Sequence, residues 1–243
     1  MRRLAVIGLA LLCLGLLSQP AARADSSLQQ IFFNVNGTTQ TNSYAGFNTG
    51  SWNDTTGIGT LTYVFNPGAP GVYNFTAFFD NQLSTVKYNE FGAVTGAPAL
   101  GQSWEIGDSY ASTLYSDVSA GILTNSNMLP GQTSNYLLNC TEPTSCNGDV
   151  ALAMGFHFVL GAGQEALITL TFSTSAPGGG FYLTQTHPID PLNNSASSIY
   201  FSGSEKTQQI IVGAPEPGSL LLVCLALAGL CLIKGRKLLS AAI

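Results

Sequence analysis

Cations are nearly absent from the body of this 243-residue chain. Arg2, Arg3, Arg23, Lys234, Arg236 and Lys237 all lie in the two end segments, which leaves Lys87 and Lys206 for everything between. Twelve acidic residues from Asp25 to Glu205 oppose those two lysines, a net charge of −10 over that stretch. This balance argues against nucleic acid as a partner, because counterion release needs Lys and Arg on phosphates. Charged residues of both signs make up only 9% of the chain, so its polar surface must come from Ser, Thr, Asn, Gln and Gly. Secreted β-proteins solvate their faces in this way.

Cysteine and histidine are scarce as well. Cys13, Cys224 and Cys231 belong to the ends, and only Cys140 and Cys146 remain, closing the short polar loop Thr-Glu-Pro-Thr-Ser. In an oxidising compartment that pair is expected to form a disulfide; metal ligation would need partners, and neither histidine is close in sequence. His157 sits between Phe156 and Phe158 and reads as a strand residue on the face opposite the large apolar side chains. His187 precedes Pro188, with no nucleophile or carboxylate at a recognisable spacing. Ser84-Thr-Val-Lys87 fits S-x-x-K but lacks the later K-T-G that would make it a penicillin-binding signature. No Gly-rich phosphate loop leads into a helix. The expectation is therefore no catalytic residue, no enzyme activity, no metal and no cofactor. Asp80, Asp108, Asp117, Asp149 and Asp190 lie at or near loops and supply the oxygens that Ca²⁺ takes, though without D-x-D-x-D spacing. Trp52, Trp104, Tyr110 and Tyr115 read either as core or as a platform for stacking sugars.

Long apolar runs occur only at the two ends. Met1-Arg2-Arg3, the apolar stretch Leu4 to Leu17 and the A-x-A site Ala22-Arg23-Ala24 make residues 1–24 a secretory signal peptide, with cleavage expected before Asp25. At the other end stand Pro215-Glu216-Pro217, the charge-free run Ser219 to Ile233, and the basic cluster Lys234-Gly-Arg236-Lys237. Prolines stop any element arriving from upstream. An apolar run somewhat short of the roughly 20 residues of a full span can be accommodated by thinning and snorkelling. The basic residues should stay cytoplasmic, which places everything before Pro215 outside.

That order of parts resembles the PEP-CTERM sorting signal of Gram-negative bacteria, over residues 213–237, with 238–243 as a short tail. The resemblance implies recognition of Pro215-Glu216-Pro217 by an exosortase-type processing enzyme, passage through the inner membrane on the C-terminal helix, and delivery to the cell surface or extracellular matrix. Proteins sorted in this way are associated with exopolysaccharide and biofilm. An ordinary single-span anchor predicts the same orientation without processing.

Between the ends, residues 25–212 read as one domain. An apolar run marks an opening strand at 30–35 and period-two alternation marks strands at 58–65, 72–79, 150–160 and 166–172, with further strands at 83–88, 102–106, 181–185, 199–201 and 207–212. Asn66-Pro-Gly-Ala-Pro70 predicts a hairpin joining 58–65 to 72–79, and Gly161-Ala-Gly163 one joining 150–160 to 166–172. Residues 36–57 read as loop after the Asn36-Gly37 turn signal. Ile106, Tyr110, Leu114, Val118 and Ile122, at every fourth position, permit a short amphipathic helix, or a long surface loop. The expected fold is all-β, a single antiparallel β-sandwich of jelly-roll type. The leading functional expectation is a non-enzymatic exported protein with a structural or adhesive role. A surface-anchored carbohydrate-binding module is the alternative, and a secreted hydrolase the third reading.

Overall fold

The computed structural model describes residues 26–83, 90–108, 112–129, 149–187 and 196–210. Chain contacts divide the protein into a unit ending at Gln208 and a unit from Gln209 to Ile243; of the second, only Gln209 and Ile210 are described. The first unit is a sandwich of two six-stranded sheets.

Sheet I contains β1 (Ser27–Val35), β2 (Thr38–Thr41), β5 (Gly71–Gln82), β7 (Gln102–Asp108), β8 (Ser126–Asn127) and β9 (Val150–Leu160), in the order β2-β1-β5-β9-β7-β8. Sheet II contains β3 (Phe47–Asn48), β4 (Gly59–Phe65), β6 (Phe91–Thr95), β10 (Gln164–Ser173), β11 (Tyr182–His187) and β12 (Ser197–Gln209), in the order β3-β4-β10-β12-β11-β6. Antiparallel pairing joins β1 to β2 and β5, β9 to β5 and β7, β4 to β3 and β10, and β11 to β6 and β12, while β7 and β8 pair in parallel. The fold class read from the sequence is the fold observed.

Both expected hairpins are corrected. β4 lies in sheet II and β5 in sheet I; likewise β9 lies in sheet I and β10 in sheet II. Each Pro/Gly turn carries the chain over the end of the sandwich, so the flanking strands meet through side chains instead of backbone hydrogen bonds. Alternation says which face is buried, and both arrangements satisfy it. Pairing decides between them. β4 pairs with β10, from Ala166↔Phe65 to Phe172↔Gly59, while β5 pairs with β9 from Gly71↔Leu160 to Asp80↔Ala151. Tyr63 of β4 then stacks on Phe75 of β5 across the core, with ring centroids 6.0 Å apart.

Asn36 and Gly37 both take positive φ, 48° and 87°, as a two-residue hairpin turn with strand-matching twist requires. The chain turns there into β2, which pairs with β1 from Val35↔Thr38 to Phe32↔Thr41, within the stretch expected to be loop. β2 went unread because Thr-Thr-Gln-Thr has no apolar face: it is a largely solvated edge strand. At the opposite edge the sheets are tied together. Gly92 N–H of β6 donates to Leu129 C=O at 2.8 Å, and Asn127 Nδ2 of β8 donates to Gly92 C=O at 2.9 Å. The stretches expected as strands at 199–201 and 207–212 belong to one strand, β12, as far as Gln209.

The inner faces meet in an aromatic core. Phe172 and Phe201 of sheet II stack at 4.2 Å, and Phe79 of sheet I closes on them at 4.4 and 5.2 Å. A second, smaller cluster lies on the outer side of sheet I, where helix α1 (Leu114–Ala120) packs Leu114 and Val118 onto Phe32, Phe78, Ala151 and Ala153. The small residues of β9 make room for it. Of the fourfold apolar spacing, Leu114 and Val118 face the sheet, while Ile106 lies in β7 and Ile122 is 66% exposed beyond the helix end. Gly121 ends the helix in a left-handed conformation. Sheet I caps the same end: Asn34 Nδ2 donates to the carbonyls of Val118 and Ser119 at 3.2 and 2.6 Å, and Thr76 Oγ1 to Val118 at 2.8 Å.

Candidate functional site

Two regions of the sandwich concentrate polar chemistry. The first closes one end of the interior. Glu90, which precedes β6, is buried, and its carboxyl accepts hydrogen bonds from Leu83 N–H at 3.0 Å and Val150 N–H at 3.2 Å. Gln185 Nε2, on the inner face of β11, donates to the same carboxyl and to the Asn81 carbonyl. One carboxyl thus joins the end of β5 and the start of β9 in sheet I to β11 in sheet II. Desolvation, reinforced by the neighbouring Asp149, pushes its pKa up to about 8. Asp80, Asn81, Asp149, His187 and Ser197, at the adjoining strand ends, are buried as well. A group enclosed in this way is out of reach of a substrate in solution, and its three N–H partners give it a joining role.

The second region is the outer face of sheet II. Alternation buries Ala166, Ile168, Leu170 and Phe172 of β10 and Leu183 of β11, and so turns the intervening residues outward. The outward positions include Thr60 and Thr62 on β4, Thr169 and Thr171 on β10, Ser202 and Ser204 on β12, and Thr184 and Thr186 on β11, with the paired Val64 and Leu167 as an apolar spot among them. Hydroxyls bond across the strands: Thr60 to Thr171 at 3.2 Å and Thr186 to Ser198 at 2.9 Å. Tyr182 and Tyr200 form an edge-on pair there, with centroids 5.8 Å apart. Among the described residues charge enters only where the face ends, at Lys206 and at Glu165, which accepts from Gln208 Nε2 at 2.8 Å.

Of the two readings of Trp52, Trp104, Tyr110 and Tyr115, core or platform, both tryptophans follow the first, and no shared platform is assembled from the three described side chains. Trp52 packs inward against Phe79 and Phe172, at 5.8 and 6.0 Å, and its Nε1 donates to Tyr44 OH at 2.8 Å. Trp104 packs against the core and Phe181, whereas Tyr115 lies over Phe32 on the outer side of sheet I. These three side chains occupy separate places, and Tyr110 lies outside the described residues. His157 is exposed on the outer side of β9, as its place in the alternation predicts. Asp117 accepts from Thr113 Oγ1 at 2.7 Å on the helix. Among the described residues no group of three or more His, Cys, Asp or Glu is placed to hold a metal ion.

Cys140, Cys146, Asp190, Ser84, Lys87, the cleavage site Ala22, Ala24 and Asp25, the tripeptide Pro215-Glu216-Pro217 and the basic residues Lys234, Arg236 and Lys237 lie outside the described residues. Among the described residues no helix is long and apolar enough to cross a membrane. Glu90, Gln185, Tyr182 and Tyr200 were not singled out from the sequence. Glu90 stands in no periodic pattern, and Gln185 announces itself only as a carboxamide at an inward strand position. No protein-family model, curated protein or solved structure matches this chain.

Proposed function

We propose that this chain is a non-enzymatic exported protein of a Gram-negative bacterium, sorted and processed through a PEP-CTERM-type tail. The sandwich then serves as a structural or adhesive module at the cell surface or in the extracellular matrix, associated with exopolysaccharide or biofilm. The observation that carries this reading is the contrast between the two polar regions. The strongly perturbed carboxyl of Glu90 is spent on joining strand ends, while the outer face of sheet II offers solvent a broad array of neutral hydroxyls on a hydrogen-bonded sheet. Adhesion needs a face of that kind, whereas hydrolysis needs convergent titratable groups in an accessible pocket. The hydroxyl face also favours the second reading, a carbohydrate-binding module delivered by the same route.

Terminal peptide mapping by mass spectrometry, on membrane and medium fractions of the native host, tests the sorting. The expected result is an N-terminus at Asp25 and a C-terminus near Pro215–Pro217. An intact Ile243, with all of the protein in the membrane fraction, would sink the processing step and leave an anchored ectodomain.

A further inference from the structure

We propose that the outer face of sheet II, beside the loop that joins β10 to β11, is the binding site for a neutral polysaccharide chain. Thr169, Thr171, Ser202 and Ser204 form the floor of a depression of about 270 Å³, and Pro177 and Phe181 stand at its side. The loop that makes this wall carries Gly178, Gly179 and Gly180, where an added Cβ would meet nothing within 4 Å among the described residues.

Three properties of the groove define its ligand. Each serine or threonine hydroxyl both donates and accepts hydrogen bonds, and so does each sugar hydroxyl, so either partner can turn to satisfy the other. The floor and wall carry no charge, and Lys206 is the one Lys or Arg among the described residues. An anionic polymer would find no cation in the groove, whereas a neutral one leaves no charge unpaired. The Tyr182–Tyr200 pair beside the groove, with Tyr182 two residues before Thr184 on β11 and Tyr200 two residues before Ser202 on β12, presents ring faces and edges, the surfaces on which sugar C–H groups pack. A protein partner is a poorer fit, because interface centres are built on apolar and aromatic anchors and the side chains of this floor end in hydroxyls. On the outer side of sheet I, helix α1 already covers part of the strands; the corresponding side of sheet II carries no described helix.

This assignment rests on the exopolysaccharide association proposed above, and its test separates the two. The full-length protein in detergent is measured for retention on microcrystalline cellulose and for affinity-gel retardation by dextran and galactomannan, with alginate as the anionic counterpart. At least one of the neutral polymers is expected to retain it, and alginate not. Thr171→Lys and Tyr200→Ala should each weaken retention about tenfold, the equivalent of one or two lost hydrogen bonds for the first and of a lost ring contact for the second, while Val159→Lys, on the outer side of sheet I, leaves it unchanged. Melting curves of each variant show that the fold persists. Retention that survives both groove variants, binding to alginate alone, or binding to none of the polymers would overturn the site. Separately, the native protein is sought in the washed biofilm matrix: its presence there with unaffected groove variants rejects the site and keeps the broader reading, and its absence rejects the broader reading.

Discussion

Glu90 accepts hydrogen bonds from Leu83 N–H, Val150 N–H and Gln185 Nε2, contacts that favour its ionised form. Burial and the negative Asp149 act in the other direction and prevail, so the carboxyl takes up its proton at about pH 8. In the unfolded chain the same group ionises in the ordinary carboxyl range. Between those two values the folded protein binds more protons than the unfolded one, so the contribution of Glu90 to stability is fully present below that range and is lost as the pH rises through 8. Urea unfolding from pH 5 to pH 9 should show that decline in the native protein. Glu90→Gln removes the titration and flattens its share of the curve. At pH 5 it should also cost about 1–3 kcal/mol, because a carboxamide has one oxygen where the carboxyl had two to meet three donors. An unchanged pH slope in the variant would show that the titration belongs to another group.

At the scale of elements, α1 is too short to be stable by itself, and tertiary packing holds it. Leu114 and Val118 supply the apolar contact; Asn34 and Thr76 satisfy the carbonyls that its last turn leaves open. Leu114→Ala is expected to cost about 2–5 kcal/mol, and Asn34→Ala about 1–3 kcal/mol through the exposed carbonyls. Hydrogen exchange should then accelerate over the described residues 112–124 well before the paired cores of β5 and β9. Uniform acceleration across both sheets would mean that the helix unfolds only with the whole sandwich. The arches belong to this scale too. Asn66-Pro-Gly-Ala-Pro70 and Gly161-Ala-Gly163 are legible as reversals, but whether a reversal stays within a sheet depends on what else its strands pair with. β4 and β10 pair with each other, and so do β5 and β9. Those partners lie about a hundred residues apart for β4 and more than seventy for β5, beyond any local signal.

For the whole molecule, stability rests on the aromatic layer between the sheets. Phe79, Phe172 and Phe201 are fully buried and in mutual ring contact. Phe172→Ala should cost about 3–5 kcal/mol, read as a lower urea midpoint without loss of cooperativity. A cost below 1 kcal/mol would show that the surrounding rings close the cavity. The far-UV spectrum should keep its β character, because both sheets retain their backbone ladders.

Much of the molecule is determined by the chain read alone. Alternation over 150–160 and 166–172 identifies strands and their inward residues, because a pleated strand sends successive side chains to opposite faces. The scarcity of cations and the plenty of hydroxyls set the character of the surface in the same direct way. Thr38–Thr41 and Phe91–Thr95 are not legible as strands: the first has no apolar face, and the second is short and owes its place to β11, to the hydrogen bond its Gly92 N–H donates to Leu129 and to the one it accepts from Asn127. The candidate sites were less legible than the fold. Glu90 acquires its raised pKa from burial and from Asp149, and the hydroxyl groove forms from two strands and a loop, all brought together only by folding. Local sequence specifies which way a side chain points along its own strand. Only the tertiary structure decides which strand lies beside it, because that choice is made by contacts between residues far apart in the chain.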